Sequence, residues 1–497
     1  MKILNNKELQ DKILSHVRNA GLFQWLIMIL MQFSLVATFI FLPLIQSVSV
    51  LLIFLAAFIF LLKPEWAAYV LIFMVPILSN YVGLYLVPTG IGAKSTKTIP
   101  MFTIFLILGT IGLVIKKSAR LHKSIPLISS WAIPTSILIV YTYISLLQWA
   151  PYVEFGQVTL LIIIINFILY YYFVKIVADE SMHKRLMVCW VCVGAITAIL
   201  TMLSLYNIPT KMFYSQRISD SIVFIYNNMT KVLYRGHAYG HPNIASAILN
   251  MTTCVTIGLL LTEKTRWKVI LLWGALTVIV FGNFLTLSKA GLGSLIAMLV
   301  FLIIMSSRLR KRLFINLVMM IVGVSLVFLT SFVYYQNTIS RNRPFRLFTL
   351  STPSSDEVTS LRHRIEMWEA GWAQMDRRKL IFLGLGPGGF EKTTHYPHSH
   401  NLYFSFFFDL GVAGIIFELI ILVALVKYIW NFLRKYYAEQ NSYLEIMSLS
   451  FIGGLLALAI HSTVDQYYYK SVIWLFVALA IITFSLTKKS LLKMENR

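Results

Sequence analysis

The sequence predicts an all-α, polytopic integral membrane protein with about fourteen transmembrane helices, within a range of 12–14. Hydrophobic residues make up 58% of its 497 residues and charged residues only 13%, where a soluble domain carries roughly 25%. Its mean hydropathy is +0.75. Runs such as "FINLVMMIVGVSLVFLTSFVYY" are as long as the roughly 20 apolar residues that cross a bilayer. Because lipid offers the backbone no hydrogen bonds, we expect each span to be helical.

The spans follow from apolar length along the chain. We place them at 22–45, 47–62, 66–88, 99–115, 127–149, 157–178, 186–206, 242–262, 268–287, 290–307, 314–335, 400–427, 443–461 and 471–487.

The distribution of basic residues predicts the orientation of these spans. Under this assignment the loops "KKSARLHKS", "TEKTRWK", "SSRLRKRL" and "KYIWNFLRK" fall on one side, which the positive-inside rule makes the cytoplasm. Both termini are then cytoplasmic, in a protein of the cytoplasmic membrane. Two long connections, 207–241 and 336–399, lie on the outer side. The net charge of +23 is explained mainly by the inner loops and anionic lipid, so we expect no nucleic-acid partner.

Four regions follow from these boundaries. Residues 1–21 form an amphipathic cytoplasmic segment, which suits a position on the inner leaflet; a frayed polar leader is the alternative. Residues 22–206 form an N-terminal transmembrane bundle. Residues 207–487 form a second membrane domain that includes the outer loop 336–399, and 488–497 form a basic cytoplasmic tail.

The outer loop 336–399 contains a predicted interfacial helix and seven arginines. In "TSLRHRIEMWEAGWAQM", apolar residues recur at helical spacing, and we expect its two tryptophans at headgroup level. Arg364 lies at the edge of this apolar stripe, whereas Arg362 points away from it. Both arginines are candidates for binding an anionic substrate, and Arg364 is the better placed of the two.

Further polar groups are predicted at the same outer surface. Arg235 and His241 precede the span that opens at Pro242, whose Asn243 and Ser246 we expect to face the outer mouth. Lys289 stands in a tight link between two spans. His398, His400 and Asn401 end the long loop, at the start of another span.

Three other patterns predict no site. Cys189 and Cys192 lie within an apolar span with no charge nearby to lower a thiol pKa. The segment "GLGPGG" fits the dinucleotide-binding pattern, but no βαβ unit or acidic residue follows it; we expect a tight turn. His395, His398 and His400 lack further ligands at zinc-site spacing, so we expect no metal site. Asp409, inside a span, should instead fix helix packing.

The ordered motifs "GHPNIASAIL", "LTLSKAGLGS", "RIEMWEAGW", "FLGLGPGGF" and "HSHNLYFSFFFDLGVAG" resemble the O-antigen ligase and Wzy-type polymerase family of polysaccharide assembly. The resemblance covers about 235–430. It implies a GT-C-like, metal-independent membrane glycosyltransferase without a cofactor. Such an enzyme takes a glycan from undecaprenyl diphosphate at the outer membrane face and joins it to a glycan acceptor. The resemblance also suggests membrane lipid, a flippase and a chain-length regulator as partners.

Carried over to this chain, the resemblance makes His400, Arg364 and Arg235 the catalytic residues. It leaves Lys289, His398, His241, Asn401 and Arg362 as candidate substrate-binding residues. The family's Ser-Arg-Gly is Ser288-Lys289-Ala290 here, and lysine keeps the charge but not the bidentate fork of arginine.

Chemistry supports these roles. The cations can neutralise the departing diphosphate. An imidazole, whose ordinary pKa is about 6.5, stays neutral and basic beside cations. The chain length and the lysine favour a polymerase of a capsule, exopolysaccharide or teichuronic acid over a lipopolysaccharide ligase. The alternative from another class is a flippase or secondary transporter of the same lipid-linked oligosaccharide, but the outer-surface cluster does not resemble a midplane transport site.

Overall fold

The computed structural model describes most of the predicted spans. The described residues are 59–78, 83–84, 99–100, 102–119, 132–148, 153–205, 222–226, 229–233, 242–286, 288–305, 355–378, 380–394, 396, 399–436, 442–465 and 470–495. The N-terminal segment 1–21, the predicted spans 22–45 and 314–335, and most of 47–62 lie outside them.

Helices dominate the described residues. The first five are α1 (Pro64–Leu78), α2 (Phe102–Ala119), α3 (Ala132–Gln148), α4 (Val153–Ile176) and α5 (Glu180–Leu205). They are followed by α6 (Pro242–Thr262), α7 (Arg266–Leu285), α8 (Lys289–Met305), α9 (Ser355–Arg377), α10 (Gly389–Thr394), α11 (Leu402–Tyr436), α12 (Tyr443–His461) and α13 (Ser471–Glu495).

The helices confirm a polytopic membrane protein. Within the described ranges, seven helices are long and apolar enough to cross a membrane, and four shorter apolar helices accompany them. These eleven overlap eleven of the fourteen predicted spans, and the total of fourteen stays a prediction. The helix α13 continues to Glu495, so part of the predicted basic tail extends the last span.

Two short antiparallel strand pairs add to the helices. The strands β1 (Gly83–Leu84) and β2 (Ile99–Pro100) pair with each other, as do β3 (Ile222–Tyr226) and β4 (Met229–Leu233). The sequence analysis predicted no strands, because runs this short carry too few residues for an alternating pattern.

The helices of both predicted membrane regions share one buried core. Its members run from Phe60 in the first region to Leu486 in α13. The helix α5 packs against α6 and α7, and α4 packs against α13. The described parts of the two regions are therefore packed together.

Contacts along α6 establish which helix ends lie together. Gly258 lies beside Met447, whereas Cys254, one turn earlier, lies beside Gly454 of α12. The helices α6 and α12 are therefore antiparallel. Asn250 reaches Ser294 of α8 at 2.8 Å, and the amino ends of α6 and α8 lie side by side. The amino ends of α6, α8, α11 and α13 and the carboxyl end of α12 form what we call the histidine end of the bundle.

The opposite end carries basic residues. The ring nitrogens of His183 contact Tyr443 Oη at 3.0 Å and Thr483 Oγ1 at 2.7 Å, which joins α5, α12 and α13. Lys184 approaches Glu263, just after α6, at 3.8 Å. The basic loop 263–268 and the lysines near the end of α13 therefore lie at one end, as the positive-inside prediction requires of segments on one side.

The helix α11 is broken at Gly411, and the glycine-rich loop fills the break. Gly411 has a left-handed φ of 66°. The carbonyl oxygens of Phe408 and Asp409 accept hydrogen bonds from Leu385 N at 2.7 Å and Gly386 N at 2.9 Å. The loop thus satisfies backbone groups that a break inside a membrane span would otherwise leave unpaired.

Asp409 holds the same loop through its side chain. The carboxylate is 4% exposed and accepts from Gly388 N at 3.1 Å and Phe390 N at 3.4 Å. The predicted packing role of Asp409 is confirmed, and the predicted tight turn is present.

Replacing Gly384 with alanine should destabilise this junction. Gly384 has a φ of 79°, and a Cβ there would collide with the backbone of Asp409 and Gly411. Left-handed backbone alone costs a non-glycine residue about 1–2 kcal/mol, and the collision adds to that. We expect the melting temperature of the purified protein to fall. Gly274→Ala is the matched control, because a Cβ at that helical position meets nothing within 4 Å; an equal fall in both variants would contradict the argument.

Candidate active site

His400 stands in a strained loop just before α11. Its backbone is left-handed, with a φ of 51°, and among the described residues it is the one non-glycine residue with a positive φ. Such a conformation costs of order 1 kcal/mol and persists where the surroundings fix it. Those surroundings are helix α9 on one side and the turn after α12 on the other.

The residue after His400 is tied to the turn that follows α12. Asn401 Oδ1 accepts from Phe404 N at 3.1 Å and caps the amino end of α11. Asn401 Nδ2 donates to the carbonyl oxygen of Thr463 at 2.9 Å, and Leu402 N donates to that of Ser462 at 2.9 Å. The oxygen and the nitrogen of the Asn401 side-chain amide therefore both bind backbone groups of the segments that support His400.

The residue before His400 is tied to the amphipathic helix α9. Trp368 Nε1 donates to the carbonyl oxygen of Ser399 at 2.7 Å, and its ring lies 4.8 Å from that of Phe404. Trp368 therefore contacts the histidine loop, and the expectation that both tryptophans lie at headgroup level stays a prediction. Trp372 remains 52% exposed and stacks on Phe407.

The buried face of α9 explains this orientation. Met367 and Met375 are at most 1% exposed and pack with Leu385, Phe390 and Phe408 in a second, smaller core. Trp368 follows Met367 directly and points between this core and the histidine loop. The helix is therefore held against the glycine-rich loop and α11, and does not rest on lipid alone.

Arg364 lies one helical turn before Trp368 and is half-buried. Burial lowers the pKa of Arg364, and the negative charge of Asp465 counteracts part of that effect. Asp465 ends the same turn that binds Asn401 and is 3% exposed. Burial also lowers the pKa of Lys470, just before α13, and Asp465 again acts against it. One buried carboxylate thus interacts with two cations beside the histidine loop.

Replacing Asp465 with asparagine should destabilise the cluster and lower activity. The change removes the negative charge that favours the charged forms of Arg364 and Lys470. Because Arg364 is half-buried and solvent screens its charge, we expect a loss of at most about 1 kcal/mol. Thermal melting measures the effect. Asp376→Asn, at an exposed position of α9, is the control, and equal melting of the two variants would contradict the pairing.

Lys289 lies at the histidine end of the bundle. It is exposed at the amino end of α8, behind Ser288, whose hydroxyl accepts from Gly291 N at 3.1 Å and donates to Asn243 Oδ1 at 2.9 Å. The position agrees with its predicted surface.

A buried polar network supports Lys289 and corrects one expectation. Ser246 does not face an open mouth; it is buried and donates to Asn283 Oδ1. Asn283 in turn donates to Asn250 at 2.6 Å. These groups bind one another and fix the packing of α6, α7 and α8.

The remaining predicted residues are placed as follows. Arg362 is exposed and pairs with Glu366 at 3.2 Å, one turn along α9, away from the histidine loop. Arg235, His241 and His398 lie outside the described residues. In the described part of the chain, no group of three or more His, Cys, Asp or Glu side chains comes together to hold a metal ion.

A family comparison covers this region of the molecule. Residues 270–419 match the O-antigen ligase family. This region is similar to the O-antigen ligase domain. The matched range includes Lys289, Arg364 and His400, which confirms the resemblance found in the motifs. No curated protein sequence matches the chain at a significant level. The match suggests a glycosyl-transferring membrane enzyme, a class that takes a lipid-linked glycan donor and an acceptor.

Two residues near the candidate site were missed from the sequence. Asp465 and Lys470 belong to a short connection, "HSTVDQYYYK", far along the chain from the histidine motif. Nothing in their spacing shows that the charge of Asp465 reaches Arg364. The one usable feature was an isolated acid between two apolar spans. Trp368 was found as part of the stripe, but its hydrogen bond depends on how α9 turns against the loop.

Proposed function

We propose that this protein is a membrane glycosyltransferase that polymerises undecaprenyl-diphosphate-linked oligosaccharide units on the outer face of the cytoplasmic membrane. The observation that supports this most is the junction of His400 and Arg364 within the region similar to the O-antigen ligase domain. Their two segments meet through Trp368 on one side and the turn 461–465 on the other. Residues 207–487 supply this site in the proposal, and 22–206 form the accompanying bundle.

The proposed reaction needs one proton acceptor and several cations. A hydroxyl of the acceptor glycan attacks the anomeric carbon of the donor sugar, and the imidazole of His400 takes the hydroxyl proton. The bond from the anomeric carbon to the diphosphate oxygen breaks, and the diphosphate keeps the electron pair. Because the donor already carries this leaving group, the transfer uses no nucleotide.

Arg364 has the charge and the location to stabilise the leaving diphosphate. A guanidinium binds two phosphate oxygens at once, and its half-buried position makes the attraction stronger than in water. Asp465 keeps this cation compensated until the more highly charged diphosphate arrives. Arg235 and Lys289 complete the set of cations in the proposal, with His398, His241 and Arg362 as further candidate contacts to substrate.

The product is proposed to be a cell-surface polysaccharide such as a capsule, an exopolysaccharide or teichuronic acid. A flippase would deliver each lipid-linked unit to the outer leaflet, and a chain-length regulator would set the final length. A ligase uses the same donor and differs only in its acceptor. Proposing a polymerase and not a ligase is therefore a statement about the acceptor alone.

The fate of lipid-linked units in a strain without the gene tests this function. We expect single repeat units to accumulate on undecaprenyl diphosphate in the outer leaflet, where a membrane-impermeant glycosidase can digest them in intact spheroplasts. Accumulation in the inner leaflet, protected from the same glycosidase, would identify a flippase and contradict the proposal. If the strain without the gene still transferred polymer of normal length onto a lipid acceptor, that result would also contradict the proposal.

A further inference from the structure

We propose that Trp368 and Asn401 are positioning residues, which hold the imidazole of His400 at a fixed place relative to Arg364. The inference rests on the proposed function, because it takes His400 as the base. It goes beyond that function by assigning the strained backbone of His400, and the two side chains next to its loop, a part in the reaction.

The two peptide planes on either side of His400 determine its φ and ψ, because each peptide is planar. The plane before His400 contains the carbonyl of Ser399, which accepts the indole N–H of Trp368 at 2.7 Å. The plane after it leads into Asn401, whose side chain binds the carbonyl of Thr463 at 2.9 Å. Each plane therefore has its own external anchor.

These anchors account for the left-handed conformation. A histidine at a φ of 51° would relax into an ordinary region if the loop were free. The indole holds the loop from α9, and the amide holds it from the turn after α12. Loss of either anchor allows the peptide to rotate, which displaces the imidazole while the helices themselves stay packed.

The hydrogen bond from Trp368 to Ser399 also sets the separation between the imidazole of His400 and the guanidinium of Arg364. Arg364 and Trp368 are four residues apart on α9, which corresponds to about 6 Å along a helix axis. A rigid helix therefore connects the guanidinium to the atom that binds the histidine loop. Rate depends steeply on such placement, and a misplacement of about 1 Å can cost about a hundredfold.

Trp368→Phe is the direct test, with Trp372→Phe as its matched control. Phenylalanine keeps the ring contact with Phe404 but removes the N–H that binds Ser399. We expect kcat to fall about tenfold to a hundredfold, while KM for purified lipid-linked donor changes less than twofold. Trp372 lies one turn further along the same helix and stacks on Phe407, so its substitution should leave both constants close to those of the unchanged protein.

Asn401→Asp is the second test, which applies even where Trp368→Phe fails to fold. Aspartate keeps the oxygen that caps α11 and loses the donor to Thr463. The same pattern is expected: kcat falls about tenfold or more and KM stays. A change in KM alone, or an equal effect of Trp372→Phe, would overturn the positioning role. Rates are divided by the amount of folded protein, because a smaller folded fraction by itself lowers the apparent kcat and leaves KM unchanged.

The positioning role and the proposed role of His400 as the base fail in different ways. If His400→Ala is inactive while Trp368→Phe and Asn401→Asp both match the unchanged enzyme, the positioning inference is wrong and the proposed base stands. If His400→Ala is as active as the unchanged enzyme, the proposed base is wrong and the positioning role falls with it.

Discussion

Replacement of His400 by alanine is expected to lower the rate of glycosyl transfer by about a thousandfold, because general base catalysis contributes about 10²–10⁴. The acceptor hydroxyl then has no positioned group to take its proton. The loop should stay in place, since the bonds from Trp368 and Asn401 involve neighbouring residues. Initial rates of polymer extension in membranes with equal amounts of each protein measure the effect.

The control for this prediction is His363→Ala. His363 is an exposed histidine on α9, with its Nδ1 3.8 Å from Glu366, and it plays no part in the proposed reaction. Its removal should leave the rate within about twofold, which is the range of ordinary surface substitutions. Normal-length polymer from His400→Ala would rule out His400 as the base.

Arg364→Lys has the second-largest expected effect, a loss of about a hundredfold, which is typical when one donor to a developing negative charge is removed. Lysine keeps the positive charge but cannot bind two phosphate oxygens in the planar fork of a guanidinium. Arg364 is half-buried and lies within the electrostatic influence of Asp465, and lysine retains that charge attraction. We expect kcat and the affinity for donor both to fall, as measured on purified donor at several concentrations.

Arg377→Lys is the matched control for the guanidinium. Arg377 lies in the last turn of the same helix and is exposed. An equal loss in both variants would mean that α9 responds to any arginine change. Full activity of Arg364→Lys would show that charge alone suffices, and no activity change even in Arg364→Ala would remove this residue from the site.

Much of the architecture could be predicted because its causes are local. Apolar length alone gave α6, α7 and α12 nearly to their observed ends. The apolar spacing on α9 gave a helix between Thr359 and Met375 with Arg364 at the edge of its stripe, and the structure places Arg364 partly buried and Arg362 exposed. The dense glycines at 384–389 predicted a turn. In the structure, three of them have the left-handed backbone that such a turn requires.

The parts that could not be predicted depend on distant segments. The break of α11 at Gly411 is filled by the glycine-rich loop, whose Gly384 lies 27 residues earlier in the chain. The helical pattern of the span continues across the break and gives no sign of it. The charge of Asp465 reaches Arg364 only because α12 returns its carboxyl end to the start of α11. A hydrophobic stripe also does not show which residues its tryptophan contacts, so the hydrogen bond from Trp368 to Ser399 was not predicted.

Reconstitution in vesicles tests the central claim most directly. The purified protein is incorporated with undecaprenyl-diphosphate repeat units as the only glycan source, without nucleotide and with a chelator of divalent metals. The account predicts that products of two or more repeat units form with release of undecaprenyl diphosphate, and that vesicles with His400→Ala yield none above background. If the units only cross the bilayer and none is joined, or if extension proceeds equally with His400→Ala, the account is contradicted.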